Sequence, residues 1–340
     1  MTKKIHTPIR VVQVGLGPIG QAVACLAARH PALALVGGTD LDPDRIGRDL
    51  GEVLGLTPLG APVESSISAL LDRARPDLVL HTTGSFLEEV RGQILDCLEG
   101  GASVVSTCEE LSYPFYRHPV LANELNERAV KQGVVLLGTG VNPGFVMDKL
   151  VVALMSACSR VDRVRVLRVV DAAKRRRPFQ HKVGVGLTLE EFETRRKAGG
   201  MGHIGLVESA HLLADVMGVS SRRKIREQIR ARVAQEPVRD VLEPGQVAGT
   251  HQVLVLEEEG EERVELELVM EAGAEDPRDA VTIHGLPSLE MKLAGGVPGD
   301  EATAAVTLNY ALSVPELACG LRTVLDVPLR FHPSTLGRKT

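Results

Sequence analysis

Apolar and polar positions alternate in two different ways along this chain, and the first way covers roughly the first 140 residues. Runs of Val, Leu and Ile near residues 9–14, 33–38, 78–82, 102–106 and 134–138 predict strands, with helical patterns between them. Because such alternation is typical of a parallel sheet with helices on both faces, the sequence predicts an α/β amino-terminal domain.

From about residue 160 the apolar positions follow a period of two. Residues 161–170, 252–256 and 263–270 alternate apolar with charged side chains, and 280–284 predict a further short strand. This alternation indicates an α+β domain whose mixed or antiparallel sheet has one buried and one solvated face. The polar stretch 188–240, rich in Arg and Glu, predicts helices between these strands.

The tail is apolar at helical spacing again, over 303–312 and 315–325. We expect it to return to the first domain, which makes the second domain an insertion. The predicted organisation is an amino-terminal domain over 1–145, an α+β substrate and dimerisation domain over 146–300, and a C-terminal helical segment over 301–340.

Composition excludes several classes of protein. The chain has 340 residues, too many for one ordinary core, and a net charge of −5 with both signs interspersed, which argues against nucleic acid or an anionic membrane as a partner. Five scattered cysteines without C-x-x-C spacing predict reduced thiols and no metal site. No apolar run reaches the length of a membrane span, and residues 1–4 lead into a strand rather than a secretion signal, so we expect a cytoplasmic protein.

The turn after the first predicted strand reads GLGPIG, the G-x-G-x-x-G pattern of Rossmann dinucleotide-binding domains. Gly15 permits a sharp turn, Gly17 lets the backbone approach a pyrophosphate, and Gly20 lets the helix pack on the strand. Pro18 and Ile19 lie where the helix begins, and the N–H groups and dipole of that end favour phosphates. The sequence therefore predicts a Rossmann domain that binds NAD or NADP.

The second predicted strand ends at Thr39 and Asp40, which bear on the choice between the two cofactors. An acidic residue about 20 residues past the glycines accepts from the ribose 2′-hydroxyl of NAD and repels the 2′-phosphate of NADP. Arg45 and Arg48 lie just beyond and could meet that phosphate instead. We expect the protein to use both cofactors.

Polar turns follow the next two predicted strands. The third strand runs into Thr82, Thr83 and Gly84, and the fourth runs into Glu109 and Glu110. Open α/β sheets bind ligands at the carboxyl ends of their strands. We therefore assign the first three residues to the cofactor and place the two glutamates at the nicotinamide end, the alternative being solvated loop residues at a helix start.

The fifth predicted strand leads to Asn142-Pro143-Gly144 and then to Phe145. Asn142 could orient the carboxamide of nicotinamide or the substrate, and Pro-Gly fixes a turn that starts the next helix. Phe145 is either the wall of an apolar substrate pocket or a core residue, and the sequence leaves both open.

In its motifs the chain resembles the 2,4-diaminopentanoate dehydrogenase family and the related native amine dehydrogenases, which share a general plan with dihydrodipicolinate reductases. The matching stretches follow the order of the family and are 39–43 (TDLDP), 106–114 (STCEELSYP), 138–145 (GTGVNPGF), 202–209 (GHIGLVES) and 299–303 (GDEAT). The resemblance implies NAD(P)-dependent interconversion of a primary amine with a ketone or aldehyde plus ammonia, and a homodimer.

Two neighbouring enzyme groups are disfavoured by departures from their patterns. Dihydrodipicolinate reductases carry a paired-His motif, and no His-His pair occurs here. Homoserine dehydrogenases place a Lys where this chain has Glu109. The resemblance accordingly implies that Glu109 is the catalytic carboxylate, and Glu110 would point the other way on an extended segment.

Amine oxidation needs a base, because an ammonium group cannot expel hydride until its lone pair is freed. In the reverse direction a carbinolamine must lose water before hydride arrives. One carboxylate serves both steps by taking a proton from ammonium and returning it to the departing oxygen. A carboxylate also stabilises the developing iminium charge.

Three further residues are candidates for the substrate pocket. His203 lies in a glycine-dense loop before a helix, where backbone can approach a ligand closely. His284 ends a short strand and either faces the same cleft or is a satisfied core histidine. Thr303 follows Asp300, whose position suits a helix N-cap, and could contact nicotinamide or substrate.

Two other functions remain open from the sequence. An imine or dihydrodipicolinate-type reductase would act on a preformed C=N bond and would not need to activate ammonia. A non-catalytic NAD(P) sensor would use the Rossmann domain alone. Ammonia-dependent consumption of NAD(P)H with a simple ketone distinguishes the first alternative, and turnover of any amine excludes the second.

Overall fold

The computed structural model describes residues 7–238 and 242–333, so the predictions for residues 1–4, for the end of 188–240 and for the end of 301–340 lie outside the described residues. The chain divides into two compact units. The first consists of the residues up to Phe145 together with those from Pro298 onward, and the second of Val146–Val297.

Within the described residues, seven parallel strands form the sheet of the first unit, in the order β13-β6-β5-β4-β1-β2-β3. Apolar runs buried on both faces produce these strands, which are β1 (Ile9–Val14), β2 (Leu33–Thr39), β3 (Val63–Glu64), β4 (Leu78–His81), β5 (Ser103–Ser106), β6 (Val135–Gly138) and β13 (Gly320–Arg322). The predicted α/β class is confirmed.

Helices connect these strands and supply the rest of the core. They are α1 (Pro18–Arg29), α2 (Leu50–Val53), α3 (Ile67–Ala74), α4 (Leu87–Glu99), α5 (Pro119–Gln132) and α10 (Gly299–Ser313). The apolar side of α4, with Val90 and Ile94, packs with Val79 and Val104 of the sheet in one buried cluster. This packing holds α4, and the turn that precedes it, against β4 and β5.

The register of the parallel strands brings five strand ends to one level. Thr39 pairs with Val14, Val14 with His81, His81 with Ser106, and Ser106 with Gly138. The turns that follow these residues therefore lie at the same carboxyl edge of the sheet.

The C-terminal segment completes this first unit. Helix α10 packs on α1, and β13 extends the sheet beside β6. The prediction of a helix over 315–325 is wrong. A 3₁₀ turn at Val314–Glu316 ends the helical path, and Gly320, at φ +113°, starts the strand in a conformation that favours glycine.

In the second unit, six strands of the described ranges form a mixed sheet in the order β12-β11-β7-β10-β9-β8. Only β7 and β10 run parallel. The strands are β7 (Arg160–Asp171), β8 (Lys224–Val233), β9 (Val247–Glu258), β10 (Glu261–Glu271), β11 (Arg278–Leu286) and β12 (Leu289–Ala294). Their alternating burial confirms the period-two pattern.

The helices of this unit are α6 (Lys149–Met155), α7 (Arg177–Lys182), α8 (Leu189–Lys197) and α9 (Leu206–Val216). Helix α8 packs on β8, α9 packs on β9 and β10, and α6 packs on α9. The prediction that 188–240 is helical throughout is wrong, because Lys224–Val233 is an edge strand. Among the described residues no helix is long and apolar enough to cross a bilayer.

Candidate functional site

The glycine turn after β1 has the geometry that its sequence predicts. Gly15 has φ +83°, a conformation that favours glycine, and its N–H donates to the Thr39 carbonyl at 3.0 Å. A Cβ on Gly20 would lie 2.0 Å from the Gly15 carbonyl oxygen, so no side chain fits between α1 and the turn. These two glycines build the turn itself.

Gly17 lies at the N-cap of α1 and is different. A Cβ placed on it would meet nothing within 4 Å, so open space lies beside the backbone there. Pro18 follows at the first helical position, and Ile19 lies beside it in the first turn. The open approach and the amino end of a twelve-residue helix fit the pyrophosphate of NAD(P).

Asp40 begins the turn after β2 and is held from three sides. Its carboxylate accepts from the N–H groups of Leu16 at 2.8 Å and Asp42 at 2.9 Å, and it lies 3.1 Å from Arg45 Nη1. Burial alone would raise the pKa of Asp40, but these N–H donors and Arg45 outweigh it, so the pKa lies below its ordinary value. Asp40 is therefore ionised at neutral pH and lies beside Arg45 where β2 ends.

Thr82 and Thr83, in the turn after β4, are attached to their neighbours through hydroxyl groups. Thr82 Oγ1 donates to the Gly15 carbonyl at 3.0 Å, and Thr83 Oγ1 lies 3.0 Å from His81 Nε2. Gly84 follows, half-buried, with Val90 of α4 3.0 Å from the position of an added Cβ. The dinucleotide turn and the β4 turn are thus hydrogen-bonded to each other.

His81, which the sequence analysis did not single out, connects the β4 and β5 turns. Its Nδ1 lies 2.8 Å from Ser106 Oγ, and its Nε2 lies 2.9 Å from Gln93 Oε1. The ring is fully buried, which lowers its pKa to about 4 and keeps it neutral at neutral pH. An apolar run that ends in His at a strand terminus was the available signal.

Glu109 and Glu110 open a 3₁₀ helix, Glu109–Ser112, directly after β5 and Cys108. The expectation of an extended segment is wrong here, although the two side chains still differ in environment. Glu109 is half-buried, whereas the Glu110 carboxylate is buried and accepts from the Leu87 N–H at 2.8 Å. Glu110 also lies 2.9 Å from His118 Nε2. The carboxylate of Glu110 is therefore committed to internal contacts.

The thiol of Cys108 does not compete with these carboxylates for chemistry. Burial raises its pKa to about 12, so it stays protonated and is no nucleophile at neutral pH. All five cysteines, which lie within the described ranges, are free thiols. In those same ranges no group of three or more His, Cys, Asp or Glu side chains is placed to hold a metal ion.

The loop after β6 carries Asn142 and ends at Phe145, and both residues are half-buried. The next helix, α6, begins only at Lys149, so the predicted turn does not itself start a helix. Thr303 of α10 reaches this loop, since its hydroxyl accepts from the Val141 N–H at 3.4 Å. Asp300 is not the N-cap of α10, because the helix begins at Gly299 after Pro298.

His203 belongs to the second unit, in the loop before α9. Gln252 of β9 holds its backbone from both sides, with Oε1 2.6 Å from the His203 N–H and Nε2 3.1 Å from its carbonyl. Nearby, Gly202 has φ +104°, which favours glycine. The loop that presents His203 is thus fixed by a buried side chain that the sequence analysis missed, because its partners are 49 residues away.

His284 lies elsewhere on the same sheet. It is exposed on β11 and pairs with Arg163, so the alternative of a core histidine is wrong and the assignment to the substrate pocket stays a prediction. In the strand register Gln252, which holds His203, lies level with Arg168 of β7, whereas His284 lies level with Arg163 of the same strand. These two positions on β7 are five residues apart, which corresponds to about 17 Å. The structure does not bring His203 and His284 together.

Comparison with known proteins agrees with the motifs. Residues 145–335 match the family model of the 2,4-diaminopentanoate dehydrogenase C-terminal domain. The 2,4-diaminopentanoate dehydrogenase of Acetoanaerobium sticklandii is 29% identical, with 94% of each chain covered, and the amine dehydrogenase of Streptomyces virginiae is 27% identical, with 97% of this chain and 99% of the relative covered.

A solved structure carries the likeness into three dimensions. The amine dehydrogenase of Mycobacterium smegmatis is 26% identical and superposes with a TM-score of 0.84, over 97% of this chain and 99% of that one. The family match and the dinucleotide turn together lead to one conclusion. This chain belongs to the 2,4-diaminopentanoate dehydrogenase family and is an NAD(P)-dependent oxidoreductase.

Proposed function

We propose that this enzyme catalyses reductive amination of a ketone or aldehyde with ammonia, and the reverse oxidative deamination of a primary amine, with Glu109 as its general acid and base. The observation that carries the proposal is the position of Glu109 on the 3₁₀ helix that follows β5, at the carboxyl edge of the sheet and next to the segment that follows β4. The homologous amine-converting enzymes support the reaction class.

Each residue has a definite task in the deamination direction. Bound NAD(P)⁺ accepts the hydride. Glu109 takes a proton from the substrate ammonium, so that the nitrogen lone pair assists departure of hydride from the neighbouring carbon and an iminium forms. Glu109 releases that proton to solvent and then takes a proton from the water molecule that adds to the iminium. It gives this proton to the nitrogen of the carbinolamine, which leaves as ammonia, and loss of the hydroxyl proton gives the carbonyl product. Asn142 and Thr303 orient the reacting groups, and Phe145 contributes to the substrate pocket.

The experiment that tests this proposal is Glu109→Gln, assayed with NADPH or NADH, ammonia and a panel of short ketones. The amide keeps shape and hydrogen bonding but loses the base, so activity should fall by about 10² to 10⁴ while cofactor affinity holds. Glu99→Gln, at an exposed carboxylate paired with Arg128, is the control for loss of one charge. Turnover of preformed imines without any use of ammonia would favour an imine reductase instead.

We also propose that the enzyme uses both NAD and NADP. Asp40 favours a free 2′-hydroxyl, but its charge is offset by Arg45 at 3.1 Å, which can also meet a 2′-phosphate. The ratio of kcat/KM for the two cofactors measures this balance. A preference beyond about a thousandfold, near 4 kcal/mol, would show that one of the two residues dominates.

The assembly we propose is a homodimer built on the exposed face of the mixed sheet. That face carries half-buried apolar side chains, Leu167, Val253 and Val255, between ion pairs such as Arg165–Glu267. A symmetric partner would cover them. A mass measured by light scattering at micromolar concentration tests this proposal, and a strictly monomeric mass would contradict it.

The cytoplasm is the compartment we propose. Five free thiols, two of them buried in the first unit, suit a reducing environment. Fractionation of the producing cells with antibody detection tests this location, and recovery outside the cytoplasmic fraction would contradict it.

A further inference from the structure

Glu110 lies next to the proposed base and makes contacts that none of the reaction steps uses. Its carboxylate accepts the N–H of Leu87, the first residue of α4, at 2.8 Å. The N-cap residue of that helix, Phe86, supplies no side-chain cap, so the cap comes from another element. Glu110 therefore caps the amino end of α4, the helix that follows the Thr82–Gly84 turn.

The same carboxylate reaches a second helix. His118 Nε2 lies 2.9 Å from Glu110 Oε2, and His118 is the N-cap residue of α5. The backbone of Glu110 adds a third attachment, because its N–H donates to the Ser85 carbonyl at 3.2 Å. One residue thus ties the 3₁₀ helix to the beginnings of α4 and α5.

The opposite side of the 3₁₀ helix is held by contact. A Cβ on Gly138, the last residue of β6, would lie 2.4 Å from the carbonyl carbon of Leu111. The strand and the 3₁₀ helix therefore touch backbone to backbone. Within the helix, Ser112 Oγ donates to the Glu109 carbonyl at 2.7 Å. Glu109 is thus carried by a short segment confined on both sides.

We infer that Glu110 is a positioning residue, which holds the 3₁₀ helix, and with it Glu109, against the beginnings of α4 and α5. This inference rests on the proposed function of Glu109. With a side-chain exposure of 7%, the Glu110 carboxylate is buried against protein groups. It acts through its neighbour, and small displacements of a catalytic group cost large factors in rate.

The test is a double-mutant cycle between the two glutamates, measured as kcat for reductive amination. In Glu110→Gln a neutral amide oxygen replaces the charged Oε2, which meets both the Leu87 N–H and the His118 ring, and Arg117, 3.7 Å from Oε1, loses its negative partner. We expect kcat to fall about tenfold, less than for Glu109→Gln, with the cofactor dissociation constant within about threefold of the original. In the Glu109→Gln background the same change should lower kcat by less than about threefold.

The alternatives give different results. An equal loss in both backgrounds, or a loss that appears in cofactor affinity instead of kcat, would reduce Glu110 to general structural support and overturn the inference. An unchanged kcat in Glu110→Gln overturns it as well. If Glu109→Gln keeps full activity, the proposed function of Glu109 fails first, and this inference fails with it. Glu99→Gln, at the far end of α4, is the matched control and should leave kcat unchanged.

Discussion

Charged and polar side chains do different work at the carboxyl edge of the parallel sheet and on the exposed face of the mixed sheet. At the edge, Asp40, His81 and Glu110 are largely buried and each holds a turn or a helix start. On the face, Arg163 and Arg165 pair with Glu265 and Glu267 in partly exposed ion pairs. Edge substitutions should therefore change function or stability strongly, and face substitutions weakly.

The largest expected effect is at the edge, in Gly17→Val. Its side chain would occupy the approach of the pyrophosphate, so cofactor affinity should fall more than about a thousandfold, near 4 kcal/mol. Because an added Cβ meets nothing within 4 Å, the melting temperature should hold. Calorimetric titration with NADPH and NADH measures the affinity. Gly92→Val is the control, because Gly92 is an exposed glycine of α4 that also faces open space. If Gly17→Val binds the cofactor with unchanged affinity, the assignment of the cofactor site is wrong.

The second effect extends the comparison into the interior of the mixed sheet. Arg168 pairs with Asp279 at 3.4 Å, both side chains being buried, and donates to the Val297 carbonyl at 2.6 Å. Arg168→Met leaves a buried, uncompensated carboxylate, so the free energy of unfolding should fall by about 3–5 kcal/mol. Denaturant titration measures this change. If the free energy of unfolding falls no more than it does when an exposed ion pair is removed, burial does not make this ion pair more important for stability.

The burial of His81 at the carboxyl edge of the parallel sheet should make the stability of the protein depend on pH. Burial lowers its pKa to about 4 from the ordinary 6.5, so the unfolded chain binds a proton between these values that the folded protein does not. The free energy of unfolding should fall as the pH drops from about 6.5 to 4. This fall should be about 3 kcal/mol larger in the original protein than in His81→Asn. Melting temperatures across that range measure the difference, and parallel pH profiles would contradict it.

The smallest effect is expected on the exposed face of the mixed sheet. Arg165→Gln removes partly exposed ion pairs with Glu265 and Glu267. The free energy of unfolding should change by about 1 kcal/mol or less, and by still less at high salt. Denaturant titration at low and high ionic strength measures it. A change as large as that in Arg168→Met would show that exposed and buried ion pairs of the mixed sheet contribute equally to stability.

The sequence predicted those parts of the molecule whose physical causes are local. Strands such as Ile9–Val14 are continuous apolar runs, and the glycine turn has its own pattern. Strand Lys224–Val233 was missed because it lies at a sheet edge, with none of its residues fully buried, so its pattern is polar. The pairing of Glu110 with His118 was missed because it depends on a 3₁₀ helix and a helix start meeting in space.

The position of β13 has a consequence for synthesis on the ribosome. Strand β6 is made early, but its neighbour β13 emerges only after the whole second unit has been translated. At about 5–20 residues per second, the β6 edge of the nascent sheet therefore stays unpaired for about ten seconds or more. An unpaired edge can recruit other chains. The second unit, whose sequence is contiguous, can fold before the nucleotide-binding sheet gains its last strand.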